Sequence, residues 1–379
     1  EKSYFALVKD LYENKKKKNL NINYCDKNGR NCLFYLKGAN DDSNIIQYLL
    51  NKDIEINRRD NDENTVLNHL ILNADNVKLI YDFIKLASPM LTIKNKYGKS
   101  YMEFDDKIST EYKRRQYVVN NIDNAVRKGY IKAHYQPVVW SDTKELCGCE
   151  ALARWDDPEY GLLYPASFIP VLEECRQIHK LDACILECAC RDIHDAIEQG
   201  IPVVPVSLNF SRLDFELMDD AVELLEHLVV KYDVPKELVH VEITESALID
   251  NDHSLKQSIE RFRKDGLAVW LDDFGAGYSS LNVLKDFKFD TLKIDMVFLN
   301  GFHDNLVTKD ILKGIIELSE RIGMKTVAEG VEHEEEAEFL REAGCERLQG
   351  YLYGKPMPCE EFMDGLQNGV FQISEKVVR

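Results

Sequence analysis

From residue 130 onward the chain alternates between short apolar runs and amphipathic stretches of helical period. The runs occupy 133–140, 146–152, 203–208, 239–243, 267–271, 291–294, 325–328 and 347–351. Short apolar runs separated by helical patterns predict βα units. Eight strands over about 250 residues match the count and size of a (β/α)8 barrel of TIM type. An open doubly wound sheet is the competing architecture, but no Gly-x-Gly-x-x-Gly follows the first run. The predicted fold class is therefore α/β. Ahead of the barrel, 106–128 alternates charge with apolar groups at helical spacing, including Tyr117, Val118, Ile122 and Val126. That spacing predicts a connecting helix, leaving 129–379 for the barrel.

The first 105 residues have a different texture, rich in Asn, Asp and Lys, and they repeat. The segment at 22–33 aligns with 56–67, an offset of 34, and a third copy at 91–102 follows after 35. A period near ~33, turn residues followed by helical apolar spacing, predicts a small all-α stack of helix–turn–helix units. These units resemble ankyrin repeats. Asn31-Cys32-Leu33-Phe34 and Thr65-Val66-Leu67-Asn68 stand where that family carries Thr-Pro-Leu-His, and Asp53 stands where it usually has Gly. The resemblance implies a surface for an unknown protein partner rather than chemistry. The lysine run at 15–18 reads as a solvated loop.

Composition narrows the function. The net charge of −18 argues against a general nucleic-acid binder, because phosphate neutralisation needs Lys and Arg in excess. It leaves room for a small phosphate ligand met by metal ions or a few arginines. No run of about 18 apolar residues predicts a membrane span. The opening Glu1-Lys2-Ser3-Tyr4 lacks both a signal-peptide pattern and an initiator Met, so the chain is expected to be part of something longer. Ten cysteines, several close together (Cys147 and Cys149; Cys184, Cys188 and Cys190), sit in ordinary apolar patterns without a Cys-x-x-Cys pair. They read as reduced thiols of a cytoplasmic protein, not as disulfides or a zinc site.

The apolar runs end in acids. Glu150-Ala151-Leu152 closes the second, with Arg154 behind it; Asn209 closes the third, and Glu242-Ile243-Thr244-Glu245 the fourth. Asp272-Asp273 ends the fifth, Lys293-Ile294-Asp295 the sixth, Glu329 to Glu332 the seventh and Gln349-Gly350 the eighth. In a parallel barrel these ends converge on one face, where active sites of the fold lie. A helix N-cap accounts for any single acid, but poorly for the whole set. So many carboxylates need cations. Oxygen ligands without His or Cys select Mg²⁺ or Mn²⁺, and two such ions about 3.5–4 Å apart suit phosphodiester hydrolysis.

Taken together with Gln136-Pro137 in the first run, these motifs resemble EAL-domain cyclic-di-GMP phosphodiesterases over about residues 115–370. The resemblance implies a modified TIM barrel whose first strand is antiparallel to the rest. It implies metal ligation by Glu150, Asn209, Glu242, Asp272 and Asp273, with Asp272 bridging two ions. It implies that Lys293 orients the attacking water and that Glu329 is general base or second-metal ligand. A lysine beside two metals is expected to have a lowered pKa. Gln136, Leu152, Arg154, Asn209, Asp295, Glu332 and Gln349 would contact substrate. Glu245 would anchor the loop 274–280 and couple it to a homodimer contact, serving catalysis indirectly. The implied reaction converts cyclic di-GMP to linear 5′-pGpG; the alternative is a non-catalytic cyclic-di-GMP receptor that signals through the repeats. One departure is Ala276, where many members carry Thr. No Gly-Gly-Asp/Glu-Glu-Phe cyclase motif occurs.

Overall fold

The computed structural model describes residues 23–36, 42–52, 54–73, 77–87, 89–90, 92–97, 101–218, 220–248, 253–275, 281–299, 302 and 306–375. The lysine run at 15–18, Asp53, Ala276 and the remainder of the 276–280 loop lie outside them. Two compact units divide between Tyr117 and Val118. The helix Tyr101–Lys128 runs through that division.

In the first unit the 34-residue period recurs as hydrogen bonding. Asp26 accepts from the backbone of Asn28 and Arg30, and Asp60 accepts from Asp62 and Asn64 in the same way. Asn23 accepts from Glu55, and Asn57 from Met90. Each turn is thus closed by a short polar side chain and tied to the next. Helices Val66–Asn73 and Val77–Ala87 bury Leu67, Leu70, Ile80 and Phe83 against Leu33, Phe34, Ile46 and Leu49. After the first turn, Cys32–Tyr35 forms a 3-10 turn capped by Asn31, not an α-helix.

Among the described residues the second unit contains ten strands: β1 (Ile131–Trp140), β2 (Leu146–Asp157), β3 (Gly161–Leu163), β4 (Val206–Phe210), β5 (Val239–Thr244), β6 (Ala268–Phe274), β7 (Thr291–Ile294), β8 (Lys325–Ala328), β9 (Arg347–Gln349) and β10 (Met357–Pro358). Their order is β10-β1-β9-β8-β7-β6-β5-β4-β2-β3, and β1 also pairs with β2. Eight of them therefore close a barrel. The strands from β2 through β4 to β9 are mutually parallel, while β1 is antiparallel to both neighbours. A tight connection from Trp140 to Leu146 replaces the first crossover helix, as an antiparallel pair permits. Helices such as Ile178–Glu198, Ala221–Lys231 and Leu306–Arg321 lie between consecutive strands and bury one apolar face each.

Several strand bounds differ from the expectation. β2 continues seven residues beyond Glu150, to Asp157, because it pairs with β1 and then with β3. Glu150 is therefore mid-strand. β4 begins at Val206 because Pro205 has no N–H to give a ladder, although its carbonyl accepts from Cys149. β6 extends through Asp272-Asp273, which belong to the strand and not to a turn after it. β9 stops at Gln349. A Cβ at Gly350 would stand 2.1 Å from the Val331 carbonyl oxygen, so only glycine lets the two backbones meet there.

Candidate active site

Inward-facing residues alternate along each strand, and register stacks them in layers. Val138, Cys147, Trp270 and Val327 form an apolar layer deep in the barrel. One step toward the carboxyl ends of the parallel strands, the side chains turn polar. The register sets Gln136 beside Glu150, Val138 beside Gln349, Asn209 beside Glu242, and Thr244 beside Asp272. Sequence distance is thereby converted into a ring.

Lys293 stands at its centre, 1% exposed. Its Nζ lies 2.7 Å from Glu242, 2.7 Å from Glu329, 3.0 Å from Asp272 and 3.3 Å from Glu150. Glu150 also accepts from Asn209 Nδ2 at 2.8 Å and Gln349 Nε2 at 2.7 Å, and Gln349 Nε2 lies 3.2 Å from Gln136 Oε1. Gln136 in turn donates to the Gly354 carbonyl.

One ammonium cannot neutralise this many buried carboxylates. Burial lifts Glu150, but the Lys293 charge and the Gln349 and Asn209 amides bring it below its usual range. Glu242 is pushed well above that range by burial and by the charges of Glu150 and Asp272, and Asp272 is raised by burial and Glu150. Burial, with Asp272 and Glu150, lifts Glu329 to about 8. Asp273 rises to about 7 through burial, Asp272 and Asp295. Burial opposes the charge on Lys293, but the four carboxylates outweigh it and hold its pKa well above normal. The anions that surround this lysine set that direction.

The donor set fits hard divalent cations. Glu242 Oε1 and Asp272 Oδ1 are buried without a hydrogen bond, the latter facing Lys293 only as an ion pair. Asp272, Asp273 and Glu329 bring one oxygen each within 4.8 Å of one another and could hold a metal ion. The chain is locally built for this. Pairing of β6 with β7 shifts between Leu271 and Phe274, a bulge in which Asp273 has φ +55°. A bulge re-aims its side chain, and aspartate tolerates that backbone better than branched residues. Adjacent carboxylates of β6 can then both face the cluster.

The remaining sequence-derived residues are distributed more widely. Asp295 is buried, hydrogen-bonded to Asp273, and accepts from the Val297 N–H. Glu245 is buried and accepts from the Gly275 N–H at 3.2 Å. Leu152 is half-buried on β2 beyond Glu150. Arg154 stacks over the Tyr164 ring at 5.7 Å and donates to the Ala153 carbonyl. Glu332 is exposed, with its N–H bound to Glu336. Tyr164, under the Arg154 guanidinium, was not among the residues expected from the sequence. Its signal was the turn at Asp157, whose carboxylate accepts from Glu159 and Tyr160 and folds β3 back along β2.

The chain is 31% identical over 281 residues to the bifunctional diguanylate cyclase/cyclic di-GMP phosphodiesterase MucR of Pseudomonas aeruginosa, covering 74% of this chain and 41% of that one. It is 35% identical over 245 residues to the cyclic di-GMP phosphodiesterase PdeR of Escherichia coli K12, covering 64% and 36%. The chain thus spans about two fifths or less of the length of these relatives. Among solved structures it resembles the PaMucR phosphodiesterase in complex with c-di-GMP, at TM-score 0.60 and 33% identity over 65% of this chain and 99% of that one. It also resembles the EAL enzyme Bd1971 in its cAMP- and cyclic-di-GMP-bound form, at TM-score 0.64 and 27% identity over 80% of each. No helix among the described residues is long and apolar enough to cross a membrane. The EAL domain family model matches residues 119–356, the stretch that builds the barrel and its carboxylate ring, and the chain belongs to that family.

Proposed function

We propose that this chain hydrolyses one phosphodiester bond of cyclic di-GMP to give linear 5′-pGpG. The carrying observation is Lys293 inside a ring of Glu150, Glu242, Asp272 and Glu329, on the side of the barrel toward the carboxyl ends of its parallel strands. The ligand named with the PaMucR and Bd1971 structures supports the choice of substrate.

Glu150, Asn209, Glu242 and Asp272 would hold a first Mg²⁺ or Mn²⁺, and Asp272, Asp273 and Glu329 a second. Such ions supply a water acidic enough to attack at neutral pH and offset charge on the phosphate oxygens. Lys293 would donate to the attacking oxygen and orient it, and Glu329 would either take its proton or serve instead as a ligand of the second ion. Arg154 grips a phosphate through its planar fork, and Gln136, Leu152, Asn209, Asp295, Glu332 and Gln349 surround the dinucleotide. Glu245, through Gly275, tethers the loop that follows the two aspartates. The N-terminal unit, read as ankyrin-like, regulates the barrel through a protein partner, and the barrels pair as a homodimer.

Incubation of the full chain with cyclic di-GMP and Mg²⁺ or Mn²⁺ is expected to give 5′-pGpG, and a chelator to stop it. Glu150→Ala is expected to lower turnover at least ~100-fold with the circular dichroism spectrum kept. Tight binding without metal-dependent product would replace this reading with that of a non-catalytic receptor.

A further inference from the structure

Arg154 lies four residues beyond Glu150 on β2, about 13 Å further along the strand and on the same face, because side chains alternate. It is 7% exposed, yet among the described residues no carboxylate pairs with it. Its guanidinium donates to the Ala153 carbonyl at 2.8 Å and lies 5.7 Å from the centre of the Tyr164 ring. A buried cation met only by a carbonyl and a π-face retains charge to offer a ligand.

Tyr164 is fixed from both sides. Ahead of it, the buried Leu163 pairs with Trp155 in the β2–β3 ladder. Behind it, Pro165 opens the 3-10 turn Pro165–Ser167, and the Tyr164 carbonyl accepts from the Ser167 N–H at 2.9 Å and from its hydroxyl at 2.7 Å. Phe168 then packs edge-on against Trp155 at 6.0 Å. A residue before proline is confined to extended backbone, and Tyr164 has φ −95° and ψ 154°. Its side chain is nevertheless 60% exposed. A single exposed tyrosine is ordinary. This one projects from an ordered backbone, with a cation against its ring and the rest open, which is the form of a base-stacking platform.

We propose that Tyr164 is a specificity-determining residue that stacks on one guanine of bound cyclic di-GMP, an inference that rests on the function proposed above. A cyclic dinucleotide with one phosphodiester at the carboxylate ring carries its other phosphate and its bases away from that ring. The Arg154–Tyr164 pair then meets two parts of the ligand, the guanidinium a phosphate and the aromatic ring a base. Stacking uses the π-face and not the phenol hydroxyl, so phenylalanine serves in place of tyrosine and leucine does not.

Steady-state kinetics of the full chain with cyclic di-GMP and Mg²⁺ test this. Tyr164→Leu is expected to raise KM about tenfold and to keep kcat within about twofold of the parent. Tyr164→Phe is expected to stay within about twofold in both. If the parent binds cyclic di-GMP without turnover, the hydrolytic reading falls, and the same ratios are expected in Kd by calorimetric titration. A Tyr164→Leu KM or Kd equal to that of the parent, a loss confined to kcat, or an equal loss in Tyr164→Phe would overturn the proposal. So would a parent that binds no cyclic di-GMP.

Discussion

Lys293 has two duties that separate experimentally. One is the proposed orientation of the attacking water; the other is to be the counter-charge that lets four acids share one cavity. Breaking a buried ion pair by removing one partner costs about 3–5 kcal/mol. Lys293→Met is therefore expected to lower Tm by about 10 °C in chelator, with part of the loss recovered in Mg²⁺, as scanning calorimetry would show. An unchanged Tm in chelator would mean that the acids are already neutral. The acids of this ring were legible in the sequence because barrel geometry gathers whatever ends the strands. Other features were not. The bond from Gln349 to Glu150 depends on β1 standing between β2 and β9, and its reversed direction came from the family resemblance, not from the hydrophobic pattern. The left-handed backbone at Asp273 depends on a bulge, which no hydrophobic period encodes.

At the scale of elements, the half-buried Asp182 on the helix Ile178–Glu198 faces the buried Asp214 on the short helix Arg212–Leu217. Asp214 completes a capping box, its carboxylate accepting from the Ser211 N–H. Burial, the charge of Asp214 and a hydrogen bond to it raise Asp182 well above the carboxylate range, and burial lifts Asp214 to about 7. The folded chain thus keeps a proton that the unfolded chain sheds above pH ~4. Stability from this pair is present at low pH and falls as pH rises from about 4 through 7. Asp182→Asn can donate to Asp214 without a proton to lose. The variant is expected to exceed the parent by about 1–2 kcal/mol in urea unfolding at pH 8, with a smaller gain at pH 5. Elements themselves were readable where apolar runs are bounded by charge, as at β7 and β8, whose limits match the pattern. They were misjudged where pairing overrides pattern: β2 lengthens because it has β1 and β3 beside it, and β4 shortens because Pro205 cannot donate.

In the whole molecule, the last turns of Tyr101–Lys128 are integral to the barrel unit. Val118, Ile122 and Ala125 are buried, the Val119 carbonyl accepts from Gln177, and Asp123 pairs with Lys180. A chain starting at residue 101 is expected to fold and to keep cyclic-di-GMP turnover within about threefold. One starting at 129 is expected to lose cooperative unfolding, because it exposes the surface those residues cover. Equal melting of the two fragments would contradict this. The reversed direction of β1 also gives the barrel a polarity of wiring. Ile131 pairs with Trp155, above the carboxylate ring, whereas Gln372 and Ser374 bond to Leu146 at the start of β2. The polypeptide thus enters at the mouth and departs at the floor. In an all-parallel barrel it would do both at the floor. A segment joined ahead of β1 therefore meets the barrel on the side of the carboxylate ring, whereas one joined behind meets it on the opposite side.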